Sequence, residues 1–168
     1  MILLKRAFLL LAIALYSLPI ESTSYAVTKE TPEKRVNAFE FFKFHECRGG
    51  PKLIAYPDYK GYSIGCGTPS YKGEKITEKQ AYDRLEKYVN TSLEVVGRHY
   101  PKATYSQRVA LASLHGNNNT CYQYFRKNGV NEYIWREKCD NVRKDGNLVE
   151  LRGLHLRRNQ EADLYFKK

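Results

Sequence analysis

The stretch HECRGGPKLIAYPDYKGYSIGCGT, residues 45–68, decides the fold. Before it, Val36, Phe39 and Phe42 recur at helical spacing with Phe41 and Phe44 alongside, which predicts a helix of ordinary buried core ending near Glu46. Gly49, Gly50 and Pro51 stop that helix. Residues 53–56 and 62–66 then predict two short strands around a turn at 57–61. Gly65 and Gly67 allow close backbone approach, either to line a cleft or to bend a strand. The same stretch carries Glu46, Asp58 and Ser63, with eleven residues between the two carboxyls. Two carboxyl groups held across a cleft are what glycosidic bond cleavage needs: one protonated to donate to the leaving oxygen, one ionised to activate water. A hydroxyl beside them can hold the attacking water in line.

In this order the segments resemble the active-site region of the T4 lysozyme-like (phage-type) endolysins. The pattern is a helix ending in Glu, a hairpin carrying Tyr-x-Asp, a Gly, and then Thr-Ile-Gly-x-Gly. Here it reads Glu46, Tyr56-Pro57-Asp58, Gly61 and Ser63-Ile64-Gly65-Cys66-Gly67. The likeness continues through residues 75–81 and returns at Gly153-Leu154-His155-Leu156-Arg157-Arg158, with Glu161 and Leu164. Three positions depart from the pattern. Ser63 replaces the usual Thr and so lacks the methyl that restricts its rotamer, residues 48–51 form an extra loop, and Thr68 stands where His often follows. The resemblance implies a mostly helical α+β chain of lysozyme-like fold, with a small β-hairpin lobe and a larger helical lobe separated by a cleft. It implies Glu46 as general acid, Asp58 and Ser63 as the water-activating pair, and Tyr56, Gly65, Gly67 and Arg157 as substrate-binding or supporting residues. Either Arg157 or Arg158 could supply the family's arginine beside the catalytic Glu; a basic helix face is the plainer alternative. The implied reaction is inverting hydrolysis of peptidoglycan between N-acetylmuramic acid and N-acetylglucosamine, with no cofactor.

Further along, Thr77 with Gln80 makes a capping box, opening a helix with Ala81, Leu85, Tyr88, Leu93 and Val96 near one face. Residues 107–115 predict a second, central helix, 117–119 a loop, 122–127 and 131–139 two short helices, and 154–166 a last one. Thr31-Pro32 could open a helix, with Pro at its first position. His45 adjoins Glu46, but neighbouring helical residues do not face each other, which leaves it outside the mechanism.

Residues 1–26 have the pattern of a secretory signal peptide: Lys5 and Arg6, an apolar run over 7–20 that includes Pro19, and small residues at Ser24 and Ala26. The run is short for a membrane span, so cleavage after Ala26 is the expectation and retention as a signal anchor the alternative. Export would leave residues 27–168 as one catalytic domain, periplasmic or secreted, touching membrane only through the leader and expected to act as a monomer. Cys47, Cys66, Cys121 and Cys139 then suggest two disulfides. Of three possible pairings, Cys47–Cys66 with Cys121–Cys139 is expected, because the first would tie the residue after Glu46 to the strand of Ser63. Without a C-x-x-C, and with four scattered histidines, no metal site is predicted.

The net charge of +10 falls to about +9 once Lys5, Arg6 and Glu21 are set aside. Such a chain suits an anionic partner. Export and the lack of any nucleic-acid motif point away from nucleic acid and toward the polyanionic bacterial wall. Two rivals remain. A lytic transglycosylase would use Glu46 but need neither Asp58 nor Ser63, and a non-catalytic wall-binding protein would keep the fold and cleft alone.

Overall fold

The computed structural model describes residues 36–58, 61–144, 147–150 and 152–167. The expected leader and the Thr31-Pro32 helix start lie outside them. The first described helix, α1 (Ala38–Glu46), is capped by Asn37, whose Oδ1 accepts the Glu40 N–H at 3.2 Å. It ends where expected, at Glu46. Phe42 is fully buried, but Phe44 is 56% exposed, so this one phenylalanine departs from the predicted core face.

Three antiparallel strands follow: β1 (Lys52–Asp58), β2 (Gly61–Gly65) and β3 (Thr68–Ser70), in the order β1-β2-β3. Tyr56 pairs with Ser63 and Asp58 with Gly61 across the hairpin. β3 was not foreseen; it is three residues long and contains Pro69, which a strand tolerates at a sheet edge. Ile64, Ile76 and Ala81 form a small apolar core beneath this sheet. Gly65 has φ +64°, and a Cβ there would meet the Ala81 Cβ at 3.1 Å, so its close approach is to the next helix.

That helix, α2 (Glu78–His99), carries the expected capping box of Thr77 and Gln80. Its buried stripe is Ala81, Leu85, Val89, Ser92 and Val96, so Tyr88 and Leu93 flank the core rather than fill it. α2 packs on the sheet with its first turns and on α1 and α3 beyond. The central helix α3 (Tyr105–Asn117) starts earlier than expected, because Thr104 and Gln107 form a second capping box. Val109 to Leu114 are all buried, which is the pattern of a helix enclosed on every side. Gly116 leaves room for Tyr88: a Cβ would fall 1.7 Å from the tyrosine hydroxyl.

The predicted loop at 117–119 shrinks to one residue. Asn118 ends α3 and also caps α4 (Asn119–Asn128), its Oδ1 accepting the Cys121 N–H at 3.1 Å. α5 (Glu132–Lys138) leads into a second, unforeseen hairpin, β4 (Asn141–Lys144) and β5 (Asn147–Glu150). α6 (Arg152–Phe166) then packs against α3 and α5. Disulfides join Cys47 to Cys66 and Cys121 to Cys139.

Candidate functional site

Glu46 is the last residue of α1, and its side chain keeps 22% of its exposure. The Arg157 Nη2 donates to its Oε1 at 2.6 Å. The sequence left Arg157 and Arg158 undecided; the structure brings Arg157 to Glu46 and turns Arg158 inward. Arg157 is itself held from the other side: its Nε donates to Glu161 Oε1 at 3.1 Å and its Nη2 to Ser113 Oγ at 3.0 Å. Glu161 is fully buried and also accepts from Ser113 Oγ at 2.5 Å, Arg158 Nη2 at 2.7 Å and Trp135 Nε1 at 3.1 Å. Sequence reasoning missed Ser113 and Trp135 altogether and took Glu161 only as part of a pattern. The one available signal was its place four residues after Arg157, the spacing at which helical side chains pair.

On the hairpin, Ser63 is 6% exposed and donates its hydroxyl proton to Asp58 Oδ2 at 2.6 Å. The strand register makes this contact possible by setting Ser63 opposite Tyr56, two residues before Asp58. Burial, then the charge of Asp58, and also that of Glu46, push the Tyr56 phenol above its ordinary range. Tyr56 is therefore within electrostatic reach of both carboxyl groups. Its ring lies 4.0 Å beneath the Lys52 ammonium. On the helical side, burial and then Glu46 raise the Tyr88 phenol likewise. Gly67 has φ +80°, which supplies the turn that carries β2 into β3.

Beside Glu46 opens a cavity of about 490 Å³, lined by Phe44, His45, Arg48, Leu156, Arg157 and Gln160 among others. Neither Asp58 nor Ser63 lines it, and neither do Tyr56, Gly65 or Gly67. His45, set aside on sequence grounds, does border it together with Glu46, because the last turn of α1 opens onto this space. Burial first, then Arg157, Arg158 and Arg48, lower its imidazole to about 4, so the ring is neutral in the working range of most enzymes. Its Nε2 is buried with no hydrogen-bond partner among the described residues. No group of three His, Cys, Asp or Glu that could hold a metal ion occurs among the described residues.

No protein-family model and no curated protein matches the chain. Solved structures do. An endolysin from Escherichia coli O157:H7 phage FAHEc1 is 25% identical with a TM-score of 0.60, over 80% of this chain and 95% of that one. The muramidase domain of SpmX from Asticaccaulis excentricus is 21% identical with a TM-score of 0.63, over 78% and 95%. The active form of the P1 phage endolysin Lyz is 20% identical with a TM-score of 0.55, over 79% and 85%. The chain thus has a lysozyme-like, mostly helical α+β fold.

Proposed function

We propose that the chain is an exported peptidoglycan hydrolase, a muramidase that cuts the β-1,4 bond between N-acetylmuramic acid and N-acetylglucosamine. Support comes from the endolysin and muramidase neighbours together with the chemistry of Glu46, Asp58 and Ser63. Glu46 is the general acid, donating to the glycosidic oxygen as the bond breaks. Arg157 orients it and stabilises the carboxylate left behind. The Ser63–Asp58 hydrogen bond carries the other half of the reaction. With its proton committed to Asp58, the Ser63 oxygen can only accept, so a water donating to it presents a lone pair elsewhere. Asp58 takes that water's proton as it attacks the anomeric carbon. Inversion is the expected outcome, and no cofactor enters. The basic surface suits the anionic wall, the two disulfides suit an oxidising compartment, and residues 1–26 are the proposed export signal.

One alternative rests on Glu46 alone: a lytic transglycosylase needs the acid but neither Asp58 nor Ser63. Digestion of purified peptidoglycan by residues 27–168, wild type beside Glu46→Gln, separates the readings by mass spectrometry. Reducing muramic acid ends from the wild type alone support hydrolysis. Anhydro ends would transfer the reading to the transglycosylase. Wall binding without products from either protein would remove the enzymatic reading.

A further inference from the structure

We propose that Glu161 and Arg158, which lie behind the site and touch no substrate, are positioning residues that set the charge against which Glu46 holds its proton. This rests on the reading of Glu46 as the general acid. Arg157 and Arg158 are 5% and 0% exposed, and Glu161 is 0% exposed, so water screens none of them well. Arg158 reaches one carboxylate, Glu161; its Nε and Nη1 have no partner among the described residues. Arg157 is shared, Nε toward Glu161 and Nη2 toward Glu46. Two cations therefore face two carboxyl groups, only one of which can exchange protons with the cleft. The cluster is neutral with Glu46 ionised and carries one positive charge with Glu46 protonated.

Without Glu161, the same protonation would leave two buried, uncompensated guanidinium groups. A general acid must be protonated when substrate arrives, so Glu161 keeps Arg157 from holding Glu46 permanently as the carboxylate. Asp58 of the hairpin, ionised in the proposed reaction, is the other negative charge at the site and acts in the same direction as Glu161; the remaining groups around Glu46 do not. Tyr56 of β1 and Tyr88 of α2 are neutral phenols, His45 of α1 is neutral, and Arg48 on the following loop adds positive charge. Ser113 of α3 and Trp135 of α5 contribute dipoles to Glu161, fixing its carboxylate in place.

Opposite substitutions should move the pH dependence in opposite directions. Glu161→Gln removes the counter-charge, so the alkaline limb of the kcat/KM profile for peptidoglycan moves down by about one pH unit, about a tenfold loss above the limb. Arg158→Met removes the cation that Glu161 serves, and the limb moves up. The double variant restores a neutral cluster and returns the limb to the wild-type position. Because Glu161→Gln strands two arginines and can fail to fold, Arg158→Met alone carries the test if it does; it removes a poorly satisfied buried cation of similar volume. Carboxyl ¹³C titration of Glu46 reads the same shifts without activity. Profiles that coincide with wild type in the folded variants, or that shift in the same direction for both, overturn the proposal. So does a double variant that stays shifted, since packing damage would not be undone by a second substitution. Absence of Glu46-dependent cleavage in the wild type would instead overturn the parent reading, and the ¹³C titration would still decide the charge balance.

Discussion

Removing each disulfide in turn separates what holds the chain together from what holds the site. The two bonds close loops of nearly equal length, with sequence separations of 19 and 18. Loop-closure entropy then gives about 3 kcal/mol for either one at 25 °C. For a domain of this size that is a loss of about 10 °C in Tm. The variants are Cys47→Ala with Cys66→Ala, and Cys121→Ala with Cys139→Ala. Their unfolding midpoints in urea should fall together.

Their activities should not. Cys47 directly follows Glu46, and Cys66 is the third residue after Ser63, so the first bond spans the proposed acid and the strand proposed to hold the water. The second ties α4 to the end of α5, with Glu46 on neither element. A displacement of about 1 Å between the two halves of a site can lower turnover about 100-fold. We therefore expect the Cys47–Cys66 variant to lose at least about tenfold in kcat/KM, and the Cys121–Cys139 variant to stay within about twofold of wild type. The assay is dye release from labelled peptidoglycan at a temperature where circular dichroism shows both variants folded. Equal activity losses would mean that stability alone is at work. Wild-type kcat/KM in the Cys47–Cys66 variant would refute the claim that this bond sets the geometry.

Ser63→Ala should lower kcat/KM by about 10–100-fold, the range for a lost hydrogen bond to a charged group, while wall binding by pull-down stays unchanged. Ser63→Thr keeps the hydroxyl and should retain most activity; an alanine variant within twofold of wild type would remove Ser63 from the mechanism. Burial lowers the imidazoles of His45 and His115, so the unfolded chain binds more protons than the folded one below the ordinary histidine range. Their stabilising contribution is fully present above about pH 6.5 and is lost as pH falls, for His45 down to about 4. Urea midpoints should decline from pH 7.5 to pH 5, with a shallower decline in His45→Gln; a midpoint that rises over that window would contradict the sign.

The hairpin and the helix before it were legible because their signals are local. Three residues that break a helix, then two apolar runs about a turn, leave few alternatives, and the Glu46 end of α1 follows from them. Two further elements carry local signals of the same kind. Thr104 with Gln107 repeats the capping box seen at Thr77 and places the start of α3. Asp145-Gly146 stands between the paired Lys144 and Asn147, a strong short-range sequence mark of a hairpin. Other features had no local signal to read. Nothing between residues 105 and 135 marks Ser113 or Trp135 as partners of Glu161, since the contacts span 48 and 26 residues. The choice between Arg157 and Arg158 is likewise made by which face of α6 meets α3, a matter of packing between helices.

α1 has nine described residues, too few to be stable by itself, so its last turn depends on what grips it. Two different devices meet there. On one side the Cys47–Cys66 bond fastens the chain just past Glu46 to a lobe with a small apolar core of its own. On the other, Arg157 reaches Glu46 from a buried polar cluster that draws on α3, α5 and α6. Apolar packing alone would tolerate small slippage between those helices, because it has no preferred direction. A carboxylate that needs donors from three helices at once does not, since any slip leaves a buried charge without partners. The polar cluster is therefore costly as packing but useful as a reference point. It fixes the guanidinium of Arg157 in space, and through it the carboxyl group of Glu46, the proposed general acid.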